Sequence, residues 1–160
     1  MKILVDADSC PQKAREIIIR SAKRLHIQAV FAANRPIPGI GGPGTVMEIC
    51  DTSEGAADKR ITELAEAGDL VVSRDIPLAQ KLVESGIAVI NDRGREYNRE
   101  NIGEMLSLRN FAVGLANNGM EIERTACYGK KEIQKFANTL DRILTRLVKL
   151  SFRDTDSASA

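Results

Sequence analysis

The chain alternates short apolar runs with stretches of helical spacing. Ile3-Leu4-Val5 is a buried-strand pattern stopped by Asp6. Pro11 then suits a first helical turn, and Ala14, Ile17, Ile18, Ala22 and Leu25 recur at helical spacing, which predicts a helix over 11–25. Ile27–Ala32 reads as a second strand. Residues 34–44, NRPIPGIGGPG, carry too much Pro and Gly for a helix or a central strand. Thr45–Cys50 reads as a strand, Glu54–Ala67 as a helix, Asp69–Ser73 as a strand, Ile76–Glu84 as a helix and Ile87–Ile90 as a strand. This alternation predicts βαβ units and an α/β fold: three layers, with a mostly parallel sheet between helices. Beyond Asn91 the segment NDRGREYN reads as a polar loop, followed by two C-terminal helices at about 98–117 and 130–150. Residues 1–150 are read as one domain, and the small, polar segment 151–160 as a flexible tail.

In the last helix, Ile133, Phe136, Ala137, Leu140, Ile143, Leu144, Leu147 and Val148 fall within about 140° of arc at helical periodicity. Lys131, Lys135, Arg142, Arg146 and Lys149 fall on the opposite side. That basic stripe is either a solvated face or a rail for phosphates.

Composition narrows the chemistry. No apolar run approaches bilayer length, and the segment before Asp6 is too short for a signal peptide, so the expectation is a cytoplasmic protein without a membrane partner. Cys10, Cys50 and Cys127 are odd in number and lack metal-ligand pairing, and each reads as a small buried hydrophobe. The single histidine, His26, leaves no histidine set for zinc. The net charge of +1 hides an asymmetry: residues 48–69 hold seven acids and two bases, whereas 129–153 hold seven bases and two acids. A near-neutral total therefore does not exclude a polyanionic partner. The chemistry to test is carboxylate chemistry.

Asp6 ends the first strand, Asp8 follows it, and Asp75 ends the DLVVS strand. Ligands of open parallel sheets bind outside the carboxyl ends of the strands. If strands one and four are neighbours, Asp6 and Asp75 converge there, and Asp58, early in the preceding helix, reaches the same edge. Such acids must share protons or a cation, and the hard, oxygen-seeking choice is Mg²⁺ or Mn²⁺. Plainer roles compete. Asp8 or Ser9 could cap the first helix, Asp75 is equally placed as an N-cap, and Asp58 alone reads as a solvated helix residue. Asp69 reads as the distal start of its strand, and Asp51 and Asp92 as solvated loop acids.

The blocks VDADSCP at 5–11, AAD at 56–58, GDLVVSRDIPLA at 68–79, NDRGREY at 91–97 and LRNF at 108–111 resemble the YaiI/YqxD family of bacterial proteins, grouped with PIN-like domains. The match runs in order from about residue 2 to 150. PIN-like domains are Mg²⁺- or Mn²⁺-dependent nucleases with acids clustered at the carboxyl edge of a parallel sheet. The resemblance thus implies a nuclease on RNA or single-stranded nucleic acid, with Asp6, Asp8, Asp58 and Asp75 as catalytic and metal-holding residues. The early-helix glutamate of PIN domains has no motif-level counterpart; Glu16 is its candidate by position.

Asn91, Arg93, Tyr97 and Arg109 are the candidate substrate-binding residues: the arginines for phosphate, Tyr97 for stacking on a base. A surface-loop role for Arg93 and a helix ion pair for Arg109 are the plain alternatives. Two other functions stay open. ILVDADSC also resembles the first motif of haloacid-dehalogenase-type phosphatases, with Asp6 as nucleophile and Asp8 as general acid, although Cys10 replaces the usual Thr or Val and no downstream Lys motif appears. The third is a non-catalytic nucleic-acid binder. The reading allows a homo-oligomer.

Overall fold

The structure, a computed structural model, describes residues 1–120 and 127–159. Its elements are β1 (Lys2–Asp6), α1 (Gln12–Leu25), β2 (Gln28–Ala33), β3 (Thr45–Ile49), α2 (Ala56–Leu64), β4 (Leu70–Val72), α3 (Ile76–Glu84), β5 (Ala88–Ile90), β6 (Glu96–Tyr97), α4 (Ile102–Asn117) and α5 (Lys130–Ala158). The strands form one sheet in the order β3-β2-β1-β4-β5-β6. All neighbours are parallel except β5 and β6. From β1 the chain builds outward to β3, then returns to the other side of β1 with β4. The carboxyl ends of β1 and β4 therefore flank the topological switch point, where an open α/β sheet leaves a crevice.

Side-chain alternation divides the core into two. Ile3, Val5, Phe31, Leu70, Val72 and Ile90 pack against α1 and α5. Leu4, Val30, Val71 and Val89 point the other way, to α2, α3 and the start of α4. The result is a three-layer α/β fold, as the alternating pattern predicts. The apolar arc of α5 faces the core through Phe136, Leu140, Ile143 and Leu144.

The structure departs from the sequence pattern in three places. The NDRGREYN segment is a hairpin, because β6 adds an antiparallel edge strand pairing Ile90 with Glu96 and Val89 with Tyr97. The segment from 151, expected to be a flexible tail, continues α5 through Ala158, with every residue from Lys149 to Ser159 exposed. Helix α2 is shorter than predicted, starting after Gly55 in the left-handed region (φ 77°) and ending at Leu64. The basic stripe of α5 is partly spent within the molecule, since Arg142 and Arg146 pair with Glu96 at 3.4 and 2.7 Å. Among the described residues no helix is long and apolar enough to cross a membrane.

Candidate active site

Asp6 is the last residue of β1 and shares its side with Leu4, so its carboxylate turns toward the α2/α3 layer. Strand β4 lies directly beside β1, and the chain leaves it through Ser73 and Asp75. Asp75 caps α3: its Oδ1 accepts the Leu78 N–H at 2.8 Å, and Pro77 stands in the first turn. The cap and the site coincide, because the strand that delivers Asp75 to the carboxyl edge is also where the next helix must begin. Asp58 sits in the first turn of α2, on the same side.

The three acids are electrostatically joined. The Asp58 carboxyl is pushed up to about 6, by burial first, then by the charges of Asp75 and Asp6 and a hydrogen bond shared with Asp75. Asp6 is also raised, chiefly by burial, with Asp8 and Asp75 adding to it, although Ser9 and Ser73 donate to its Oδ2 at 3.1 and 3.4 Å. Ser73 links the two strand ends, because its hydroxyl also accepts the Asp75 N–H at 3.0 Å. Asp8 is exposed and accepts the Asn34 N–H at 3.0 Å. Neither Asp8 nor Ser9 caps α1, whose N-cap is Pro11 without a side-chain bond.

An open cleft of about 260 Å³ brings Asp6, Asp8, Asp58 and Asp75 together with Asn34, Asp51 and Glu54. A second groove, of about 480 Å³ between α2 and α3, shares Asp58 and Asp75 with it and adds Lys59 and Lys81. A larger cavity, about 670 Å³, lies at the opposite, amino edge beside His26 and is lined by no carboxylate. His26 itself ends α1 in the left-handed region (φ 55°).

At the amino edge the contrast is plain. Asp69 is buried and accepts from Lys2 Nζ at 2.6 Å, from the Lys2 N–H at 2.9 Å and from the Glu66 N–H at 2.9 Å, so its charge is fully answered. Among the described residues no cation forms a comparable ion pair with Asp6, Asp58 or Asp75, and the Lys81 charge acts on Asp58 less strongly than burial and the neighbouring acids. Their hard oxygens suit a divalent ion, whose charge would favour the ionised forms that burial and mutual repulsion oppose. Among the described residues, however, no three His, Cys, Asp or Glu side chains form a ready-made metal-holding group. Magnesium is commonly held by one or two carboxylates, with water and substrate phosphates completing its shell, so a pair such as Asp58 and Asp75 fits that mode better than a closed cage.

Other predicted site residues are placed differently. Glu16 is exposed on α1, on the far layer, and accepts from Gln12 at 3.1 Å. Tyr97 is 4% exposed on β6 and offers no ring face to a base. Asn91 shapes the hairpin instead of a binding surface: its Oδ1 accepts the N–H groups of Arg93 and Arg95 at 3.0 and 2.9 Å, and its amide reaches Tyr97 Oη at 3.3 Å. The Arg93 guanidinium lies 5.8 Å over the Tyr128 ring. Arg109 is exposed on α4, where it reaches Asn110 at 3.3 Å and lines neither acidic cavity.

Asp92, read as a solvated loop acid, is 2% exposed and held by Arg74. Cys10 is buried, its thiol pushed up to about 12 by desolvation, whereas Cys127 is exposed and not the buried hydrophobe expected. Sequence reading also missed Ser73, whose place between a strand end and a helix cap in VVSRDIP was its available signal.

Comparison with known proteins gives a family without adding chemistry. The family profile described as "Uncharacterized BCR, YaiI/YqxD family" matches residues 4–146. A UPF0178 protein of Treponema denticola is 48% identical over 155 residues, covering 97% of this chain and 99% of that protein. One from Treponema pallidum is 46% identical over 96% of this chain and 86% of its own, and one from Syntrophobacter fumaroxidans 43% identical over 94% and 98%. No solved structure matches significantly. Matched along nearly its whole length by the profile and by these relatives, the chain belongs to the YaiI/YqxD family.

Proposed function

We propose that this protein is a divalent-metal-dependent nuclease, hydrolysing phosphodiester bonds of RNA or single-stranded nucleic acid at the PIN-like carboxyl edge. The observation that carries the reading is the convergence of Asp6, Asp58 and Asp75 at the switch point, with the Asp58 carboxyl pushed up to about 6 beside its neighbours. Carboxylates held against their own repulsion are costly to fold around and favour a site whose partner is a cation.

Mg²⁺ or Mn²⁺, when bound, would supply Lewis-acid polarisation of the phosphodiester and a more acidic bound water. Asp58 and Asp75 would hold it, with Asp6 completing the anionic wall. Asp8, exposed at the rim, lies where a water-borne proton can leave to solvent. Ser9 and Ser73 keep Asp6 in place. The groove between α2 and α3, with Lys59 and Lys81, gives an extended polyanion a path to the acids. Three cysteines, none of them in a disulfide, support a reducing, cytoplasmic setting.

The test is cleavage of end-labelled single-stranded RNA and DNA by purified protein. Cleavage should require Mn²⁺ or Mg²⁺, stop with EDTA, and fall by at least about 100-fold in Asp6→Asn and Asp58→Asn, both checked for folding by circular dichroism. Cleavage that persists in EDTA, or survives both substitutions, overturns the reading.

A further inference from the structure

The carboxyl edge carries a second group of charged side chains that the reaction above does not use. Arg74 lies between Ser73 and Asp75, so its backbone is part of the acidic centre. Its side chain reaches Asp92 instead. Nε donates to Oδ1 at 2.8 Å, and a terminal nitrogen donates to Oδ2, making a two-pronged pair. The partners are unequally exposed: the Asp92 side chain 3%, that of Arg74 47%.

That inequality is informative. Burying a carboxylate costs free energy that an exposed ion pair recovers poorly, so the arrangement is a weak device for stability. It is a strong device for immobilising a guanidinium. Asp92 is itself fixed, since its backbone carbonyl accepts the Tyr128 hydroxyl at 2.7 Å. Two of the five N–H donors of Arg74 engage Asp92, and the rest remain for a ligand.

Neighbouring residues strengthen the case. Asp6, Ser9, Cys10, Ser73, Arg74 and Asp92 line one small crevice, which places Arg74 at the same sheet edge as Asp6. Arg15 donates to the Cys10 carbonyl, and Arg93 lies over Tyr128. Cys10 lines the crevice with Arg74, and Tyr128 donates to the Asp92 carbonyl, so Arg15 and Arg93 contact residues that adjoin the Arg74–Asp92 pair. A polyanion approaching the acids is repelled by them, and a fixed cation at this edge adds to the hold that Lys59 and Lys81 provide on the other side.

We propose that Arg74, fixed by the buried Asp92, is a phosphate subsite that grips a backbone phosphodiester of single-stranded nucleic acid beside the carboxylate centre. Its ligand class rests on the nuclease reading; Arg74 is the binding residue and Asp92 a positioning residue.

The experiment measures binding of a short fluorescein-labelled oligouridylate by anisotropy over a salt series in EDTA, where no cleavage interferes. Arg74→Gln should weaken binding at least about tenfold and reduce the slope of log affinity against log salt by about one. Arg74→Lys keeps the charge and loses the fork, so affinity should fall with the slope unchanged. Asp92→Asn should weaken binding without lowering the slope, because no cation is removed. Arg153→Gln, at the exposed end of α5, should bind as wild type. The half-exposed Arg74 variants keep the test valid even if Asp92→Asn fails to fold.

Binding by Arg74→Gln within about twofold of wild type at every salt concentration, or no binding by wild type, overturns the subsite. Cleavage with Mn²⁺, assayed in parallel, separates the two readings. Cleavage with Arg74-independent binding sinks the subsite alone. Arg74-dependent binding without cleavage sinks the nuclease alone and sustains the subsite.

Discussion

Gly94 shows how one residue fixes the hairpin that carries Asn91 and Asp92. Its φ is +80°, and a Cβ built there would stand 2.6 Å from the Lys135 carbonyl oxygen and 2.9 Å from the Phe136 nitrogen. Its own carbonyl accepts the buried Thr139 hydroxyl at 2.8 Å. The turn thus presses on the backbone of α5, and no side chain fits between them. Gly94→Ala should cost about 2–4 kcal/mol, combining left-handed strain with overpacking, read as a lower urea midpoint. A change below about 0.5 kcal/mol would mean the turn has room to move. The motif NDRGREY is visible in the sequence, but its reason is not. Read as a chain, it offers polar residues for a substrate, whereas in the fold Asn91, Gly94 and Tyr97 shape and anchor a hairpin.

At the scale of elements, α5 divides into two functions. Phe136, Leu140, Ile143 and Leu144 are wholly buried against the sheet, whereas Lys149 through Ser159 are exposed. Leu140→Ala should therefore destabilise by about 2–5 kcal/mol, and truncation after Leu150 by less than about 1 kcal/mol, both measured by denaturant unfolding. Equal effects would show that the outer turns contribute to the core. The helical period alone predicted the buried face correctly. It did not predict the end of α5, because Ser, Asp and Thr in SFRDTDSASA mark loops and caps as readily as an exposed helix. Strand β6 escaped notice for a related reason: two residues are too few to carry a periodic signal, and only the antiparallel partner β5 makes them a strand.

For the molecule as a whole, the gathered acids make stability depend on pH and metal. The Asp58 carboxyl titrates at about 6 in the fold, against 3.8 unperturbed, and Asp6 shifts in the same direction. A raised acid favours the protonated folded form, so its contribution is full below about pH 4 and is lost as pH rises through about 6. In EDTA the melting temperature should fall across this window, by the equivalent of about 1–2 kcal/mol once solvent screening of a half-buried group is allowed for. Asp58→Asn should flatten the dependence. Addition of Mn²⁺ near pH 7.5 should raise the melting temperature of wild type and leave Asp58→Asn nearly unmoved. A metal-free difference between wild type and Asp58→Asn that stays constant over this range would contradict the close approach of the three acids.

The sequence by itself determined the layers and the edge. Apolar runs alternating with helical periods specify a parallel α/β sheet, and acids directly after such runs must lie at its carboxyl end. Tertiary structure decided which acids meet. Asp6 finds Asp75 because β4 lies beside β1, and Asp58 joins them because strand alternation turns Asp6 toward α2. Asp69 ends at the other edge with Lys2 as its partner, and Asp92 is buried because Arg74, eighteen residues away, folds over it. Spacing along the chain gives each residue its face and its end of a strand. Strand order, a non-local property, decides whether a carboxylate meets water, a cation or another carboxylate.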